Sequence, residues 1–161
     1  MMRRRSGYVL VLAVVAVSGL PVAQADADPP VAGAGCSAEL DGVMTQLPGG
    51  ADYLVCREPS WVSAATPFPP NDAWLSYGPA IVLHGQGFRN PNLTSGQWTA
   101  TPREEKARCG ATQVTVVEPG VLAPPVVIEG EPGRPLDLEV LPNLFTIELT
   151  GSCLWTEAGL W

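Results

Sequence analysis

The sequence is short of the groups that most chemistry draws on. It has one histidine, one lysine and no C-x-x-C pair. Structural zinc is held by four closely spaced Cys and His ligands, so the zinc reading has little support. There is no G-x-S-x-G elbow, and no histidine follows His84 to act as a base. An α/β-hydrolase needs both. Cations are scarce, with 9 Lys and Arg against 16 Asp and Glu and a net charge of −7. Nucleic acid and anionic lipid are therefore poor partners, because each calls for a basic footprint. No apolar run approaches the roughly 20 residues of a membrane-spanning helix. No internal repeat is visible.

The longest apolar run, Tyr8 to Leu20, follows Arg3, Arg4 and Arg5 and precedes Ala23-Gln24-Ala25. Positive n-region, short h-region and A-x-A site together read as a secretory signal peptide over residues 1–25, cleaved before Asp26. Lipidation is the weaker alternative. Cys36 follows Gly33-Ala34-Gly35, and the acidic, proline-containing stretch Asp26 to Pro30 separates it from the h-region. An uncleaved N-terminal anchor is the other alternative. Cleavage leaves six basic against 16 acidic side chains and a net charge of −10. No membrane span remains.

Export means an oxidising compartment, where cysteines pair. Cys36, Cys56, Cys109 and Cys153 are the four in the chain. Three connectivities exist, and sequence alone does not choose among them. The shortest loops favour Cys36–Cys56 and Cys109–Cys153. Each bond would contribute about 3–4 kcal/mol in the chain-entropy model.

One domain is expected over residues 36–157, after a flexible leader at 26–35 and before a C-terminal tail at 158–161. Leu40, Val43, Met44 and Leu47 recur at helical spacing. Ser37 is the N-cap and Pro48-Gly49-Gly50 the stop, so a short helix is expected. Tyr53 to Cys56 reads as a strand returning to Cys36. Pro59, Pro67, Pro69 and Pro70 argue for an irregular stretch over 57–72, pinned by Trp61 and Phe68.

From Trp74 onward the pattern is β. Ala80 to Leu83 is an apolar run, expected as a central strand covered on both faces. Trp98 and Ala100 alternate with threonines. Thr112, Val114 and Val116 alternate with Gln113 and Thr115, and Pro125 to Glu129 is another short apolar strand. Leu136, Leu138 and Val140, then Phe145, Ile147 and Leu149, give two half-buried strands around Pro142-Asn143, expected as a hairpin. Cys153 and Trp155 continue the second strand after Gly151. Six to eight short strands between Gly- and Pro-rich turns predict an all-β fold. The expectation is an immunoglobulin-like β-sandwich with an irregular N-terminal segment, with a small β-barrel as the alternative.

Ile81-Val82-Leu83-His84-Gly85-Gln86-Gly87 resembles the strand and His-Gly turn that lead into the oxyanion hole of α/β-hydrolases. Without an elbow or a downstream base, the better reading is a strand ending in a glycine turn. No catalytic residue is assigned. Glu129, Glu131, Asp137 and Glu139 lack the D-x-D-x-D-G spacing of a calcium loop, so they read as a solvated face. No metal or cofactor is expected. Five tryptophans raise the question of a sugar platform. Trp74, Trp98 and Trp155 sit in strands where core packing is the default. Trp61 and Trp161 are the exposed candidates. The polar loop Gly87 to Gly96 offers Arg89, Asn90 and Asn92 to a ligand. Asn92-Leu93-Thr94 also matches the N-glycosylation sequon. The expected partner is a protein or carbohydrate outside the cell.

Arginine outnumbers lysine 8 to 1, and Ala, Gly, Pro and Val are abundant, a bias of high-GC genomes. Trp74-Leu75-Ser76-Tyr77-Gly78-Pro79, Gly96-Gln97-Trp98-Thr99-Ala100 and Gly151-Ser152-Cys153-Leu154-Trp155 together resemble small secreted proteins of mycobacteria and other actinobacteria, a group of unknown function. The resemblance covers most of residues 36–157 and brings no catalytic residue with it. The function expected is a secreted, non-catalytic binding or interaction module. A host-directed effector or inhibitor is the second class, and a hydrolase of unrecognised type the third.

Overall fold

The computed structural model describes residues 28–159. The expected signal peptide over 1–25 and Trp161 lie outside them. The elements are a 3-10 turn at Ala38–Leu40 and ten strands. These are β1 (Met44–Gln46), β2 (Tyr53–Arg57), β3 (Ser60–Ala64), β4 (Ala73–His84) and β5 (Gly96–Pro102). Then come β6 (Gly110–Glu118), β7 (Val121–Leu122), β8 (Val126–Glu129), β9 (Leu136–Val140) and β10 (Leu144–Glu157).

The strands run β3-β2-β1-β4-β10 and then fork. The first half of β10 pairs β6, whose other edge carries β7 and β8. The second half pairs β5, which pairs β9. The fork lies where β10 and β4 slip register between Leu149 and Gly151. Gly151 (φ 85°) faces Gly78 (φ 124°) there, and both hold a left-handed backbone that a side chain disfavours. The two long strands therefore bend together, and the sheet turns over on itself. Ile81, Leu83, Ile147, Leu149 and Ala111 then meet Trp98, Ala100, Leu138 and Val140 in one core. The result is an all-β, sandwich-like fold, not closed into a barrel.

Both expected disulfides are present. Cys36–Cys56 and Cys109–Cys153 span Cα separations of 6.0 and 5.9 Å, inside the usual range. The first belongs to a second, smaller core of Leu40, Val43, Leu54, Trp61 and Leu75. The second clamps the start of β6 to β10 beside the fork. Trp74 and Trp155 are fully buried, each worth about 4–6 kcal/mol of apolar burial before entropy is subtracted.

Several expectations are corrected. The helix over 40–47 is a 3-10 turn followed by β1. Gly42 turns the chain at φ 84°, and its N–H donates to the Cys56 carbonyl while the Cys56 N–H donates to Val43, both at 2.9 Å. Pairing with β2 satisfies more backbone than one short helix would. The stretch 57–72 contains β3, because its prolines flank the strand rather than interrupt it. The end of the leader is tied down. Gly33 N–H donates to the Trp61 carbonyl and Trp61 N–H to the Ala34 carbonyl, both at 2.8 Å, which covers the outer edge of β3.

In β4 the part covered on both faces is Trp74–Tyr77, not Ala80–Leu83, where Val82 is 39% exposed. In β6 the inward phase is Ala111 and Gln113. Gln113 Nε2 donates to the Glu139 carbonyl (2.9 Å) and its Oε1 accepts from Leu141 N–H (3.3 Å), linking the two branches of the fork. β9 and β10 are joined by the expected turn but form no hairpin ladder. β9 pairs β5, and β10 pairs β4, β6 and, in its second half, β5. The strand after Pro125 is an exposed edge, with Val126 and Val127 facing water.

Candidate functional site

β4 ends at His84, and the chain then passes close under the start of β10. Gly85 N–H donates to the Phe145 carbonyl (3.2 Å) and Gly87 N–H to the Leu144 carbonyl (2.7 Å). A Cβ on Gly85 would lie 2.5 Å from the Leu144 Cβ, and one on Gly87 would lie 2.8 Å from two carbonyl oxygens. Glycine is needed at both positions for this approach. The N–H groups that an oxyanion hole would use are thus bound to main-chain carbonyls.

The loop is pinned at its far end by Asn92. Its N–H donates to the His84 carbonyl (2.8 Å), and its Oδ1 accepts from the His84 N–H (2.7 Å). The side chain so completes β4 as a strand neighbour would. Asn71 N–H donates to the Asn92 carbonyl (2.8 Å) and ties this loop to the segment before β4. Between these anchors, Asn90 holds φ 56°, a conformation asparagine tolerates better than most residues. The sequon asparagine is therefore a buried structural residue, 7% exposed.

These constraints shape a cleft of about 340 Å³. One wall is Thr66, Pro67 and Phe68, with Tyr53 packed edge-on to Phe68 at 5.0 Å between ring centroids. The other wall is His84, Phe88, Arg89, Asn90 and Asn92. The imidazole of His84 stacks on Phe88 at 4.2 Å and 16°, and Phe88 meets Phe145 edge-on at 5.1 Å. Phe88 is nevertheless 40% exposed. No carboxylate among the described residues lines the cleft. Arg89 is exposed and has no ion-pair partner among the described residues.

Three of the four candidate binding residues, Arg89, Asn90 and Asn92, thus meet in one place. The fourth does not. Trp61 is 4% exposed and belongs to the second core, so it is no sugar platform. Trp74, Trp98 and Trp155 are core residues, as expected, and their indole N–H groups donate to Asn71, Thr94 and Ser76. The wall from Thr66 to Phe68 escaped the sequence reading. A proline-rich segment carrying an aromatic was its only signal.

The imidazole makes no hydrogen bond to a serine or a carboxylate among the described residues. Ser95, the serine nearest it in the loop sequence, donates to Gln86 Oε1 at 2.6 Å. The acidic strand residues are dispersed. Asp137 accepts from Thr99 (2.7 Å), Glu131 pairs with Arg134 (3.3 Å) and Glu129 with Arg108 (3.9 Å). No group of three potential metal ligands gathers among the described residues.

No protein-family model, curated protein or solved structure matches the chain.

Proposed function

We propose that this chain is an exported binding module that holds a small ligand between the 66–68 and 84–92 segments without chemically changing it. The observation that carries the reading is the cleft, whose 84–92 wall is fixed by hydrogen bonds and whose 66–68 wall packs through Phe68 on Tyr53 and Trp74. Small-ligand sites combine apolar walls with a few fixed polar groups. Here Phe68, Phe88 and Pro67 supply the first, and Arg89, Asn90 and Asn92 the second. The stacking of His84 on Phe88 supports a binding role over a general-base role.

Export is supported by the tripartite pattern over residues 1–25 and by two disulfides. Disulfides persist in oxidising compartments. No helix among the described residues is long and apolar enough to cross a membrane. The resemblance to small secreted actinobacterial proteins points the same way.

Two measurements test this. Intact mass of the exported protein should place its N-terminus at Asp26, and retained Met1 or lipid on Cys36 would defeat the export reading. An amide-shift screen with a fragment library should move the resonances of Thr66, Phe68, His84, Arg89 and Asn90 as a group. Shifts that never cluster there would defeat the binding reading. A protein partner is the second reading, favoured by the exposed Val117, Val121, Leu122, Val126 and Val127 along the β6–β8 edge. Val127→Lys should then abolish that partnership and leave fragment binding unchanged.

A further inference from the structure

The polar groups of the cleft are unbalanced in a way that selects a ligand. Arg89 offers five N–H donors and no acceptor, and it has no ion-pair partner among the described residues. Asn92 is oriented by its own structural role. Its Oδ1 is held by the His84 N–H at 2.7 Å, so the Nδ2 is the free end. That amide group makes no hydrogen bond among the described residues, although Asn92 lines the cleft. A cation and a fixed donor therefore border a space that no carboxylate among the described residues lines, in a chain with 16 acidic residues. Such a site is built to receive acceptor atoms carrying negative charge.

The walls restrict the rest of the ligand. The His84–Phe88 stack and the Tyr53–Phe68 pair present aromatic surface from both segments. Flat rings pack on such surfaces in offset or edge-on geometry. The volume, about 340 Å³, is at the low end for small-molecule pockets. It suits one ring system rather than a chain of residues or sugars. One unpaired guanidinium matches a monoanion, and its planar fork matches a carboxylate through two parallel hydrogen bonds.

We propose that the cleft binds a carboxylate carried on a flat aromatic ring, with Arg89 and the Asn92 amide taking the carboxylate and Phe68 and Phe88 flanking the ring. This rests on the cleft being the binding site. The probe pair is 2-naphthoate and its neutral isostere 2-naphthamide, titrated into the disulfide-bonded exported chain by calorimetry and amide shifts. Acetate and a methyl hexoside are controls. The expected result is that naphthoate binds at least tenfold more tightly than the amide, with shifts centred on Arg89 and Asn92. Arg89→Gln should erase that preference, weakening the acid at least tenfold more than the amide. Arg89 is exposed, so the variant is expected to fold. Phe88→Leu should weaken both probes.

Equal binding of acid and amide, or a preference that survives Arg89→Gln, would overturn the carboxylate proposal and leave the binding cleft standing. Shifts in the cleft with the hexoside alone would do the same. Absence of shifts there with every probe would overturn both.

Discussion

Gln46 offers a test of how β4 and the cleft are held. It is only 5% exposed, yet its side chain is polar. Its Oε1 accepts from Val82 N–H at 2.8 Å, and its Nε2 donates to the Val82 carbonyl at 2.9 Å. The amide thus imitates a peptide group of a neighbouring strand, two residues before His84. The same Nε2 lies 3.1 Å from both the Gly50 carbonyl and the Tyr53 hydroxyl. Gln46→Leu keeps the volume and removes these four contacts. Two N–H donors share three acceptors, so with the Val82 N–H bond this amounts to about three hydrogen bonds, and at about 0.5–1.5 kcal/mol net each the loss is about 1.5–4.5 kcal/mol. Val82 is half-open to water, which can replace its lost partners, so about 3 kcal/mol is the better figure. For a domain of this size that corresponds to a melting temperature lower by about 10 °C. Calorimetry with both disulfides intact measures it. A fall of less than about 3 °C would refute the view that this amide serves as a strand partner. Gln46→Glu should cost more than the leucine, since it loses the donor and buries a charge facing the Val82 carbonyl.

Further outcomes follow from the same contacts. Removing Cys109 and Cys153 together should cost about 4 kcal/mol and removing Cys36 and Cys56 about 3 kcal/mol, because the loops span 44 and 20 residues. Denaturant unfolding checks the order. Tyr77 donates to the Gln46 carbonyl at 2.7 Å, and burial raises its pKa above 10.0. A raised pKa gives stability that is complete below the unfolded value and lost as pH rises through the folded one. The protein should therefore weaken above about pH 10, and Tyr77→Phe should flatten that part of the pH profile while lowering stability at pH 7. His84→Gln should fold as the parent does, and ester hydrolysis abolished by it would overturn the non-catalytic reading.

What the sequence discloses here is faces more than neighbours. Alternation in β5, β9 and β10 correctly orients Trp98, Leu138 and Ile147 toward a core. It cannot say that β9 pairs β5, because either arrangement buries the same residues. The helical spacing of Leu40, Val43, Met44 and Leu47 arises from a 3-10 turn, a strand and a following turn that share two cores. Buried Gln46 and Gln113 were illegible, since most of their bonds run to backbone groups 26 to 36 residues away. The disulfides were legible because nearest pairing closes the smallest loops. Half of the cleft, Arg89 to Asn92, stood out as a polar loop. The other half needed β2, β3 and β4 to bring Thr66 to Phe68 across from it.

A crystallographic fragment soak of the disulfide-bonded chain tests the central claim most directly. The account predicts that bound fragments gather between Phe68 and Phe88, with polar groups directed at Arg89 and the Asn92 amide. Fragments that gather along the β8 edge, or nowhere preferentially, would contradict it.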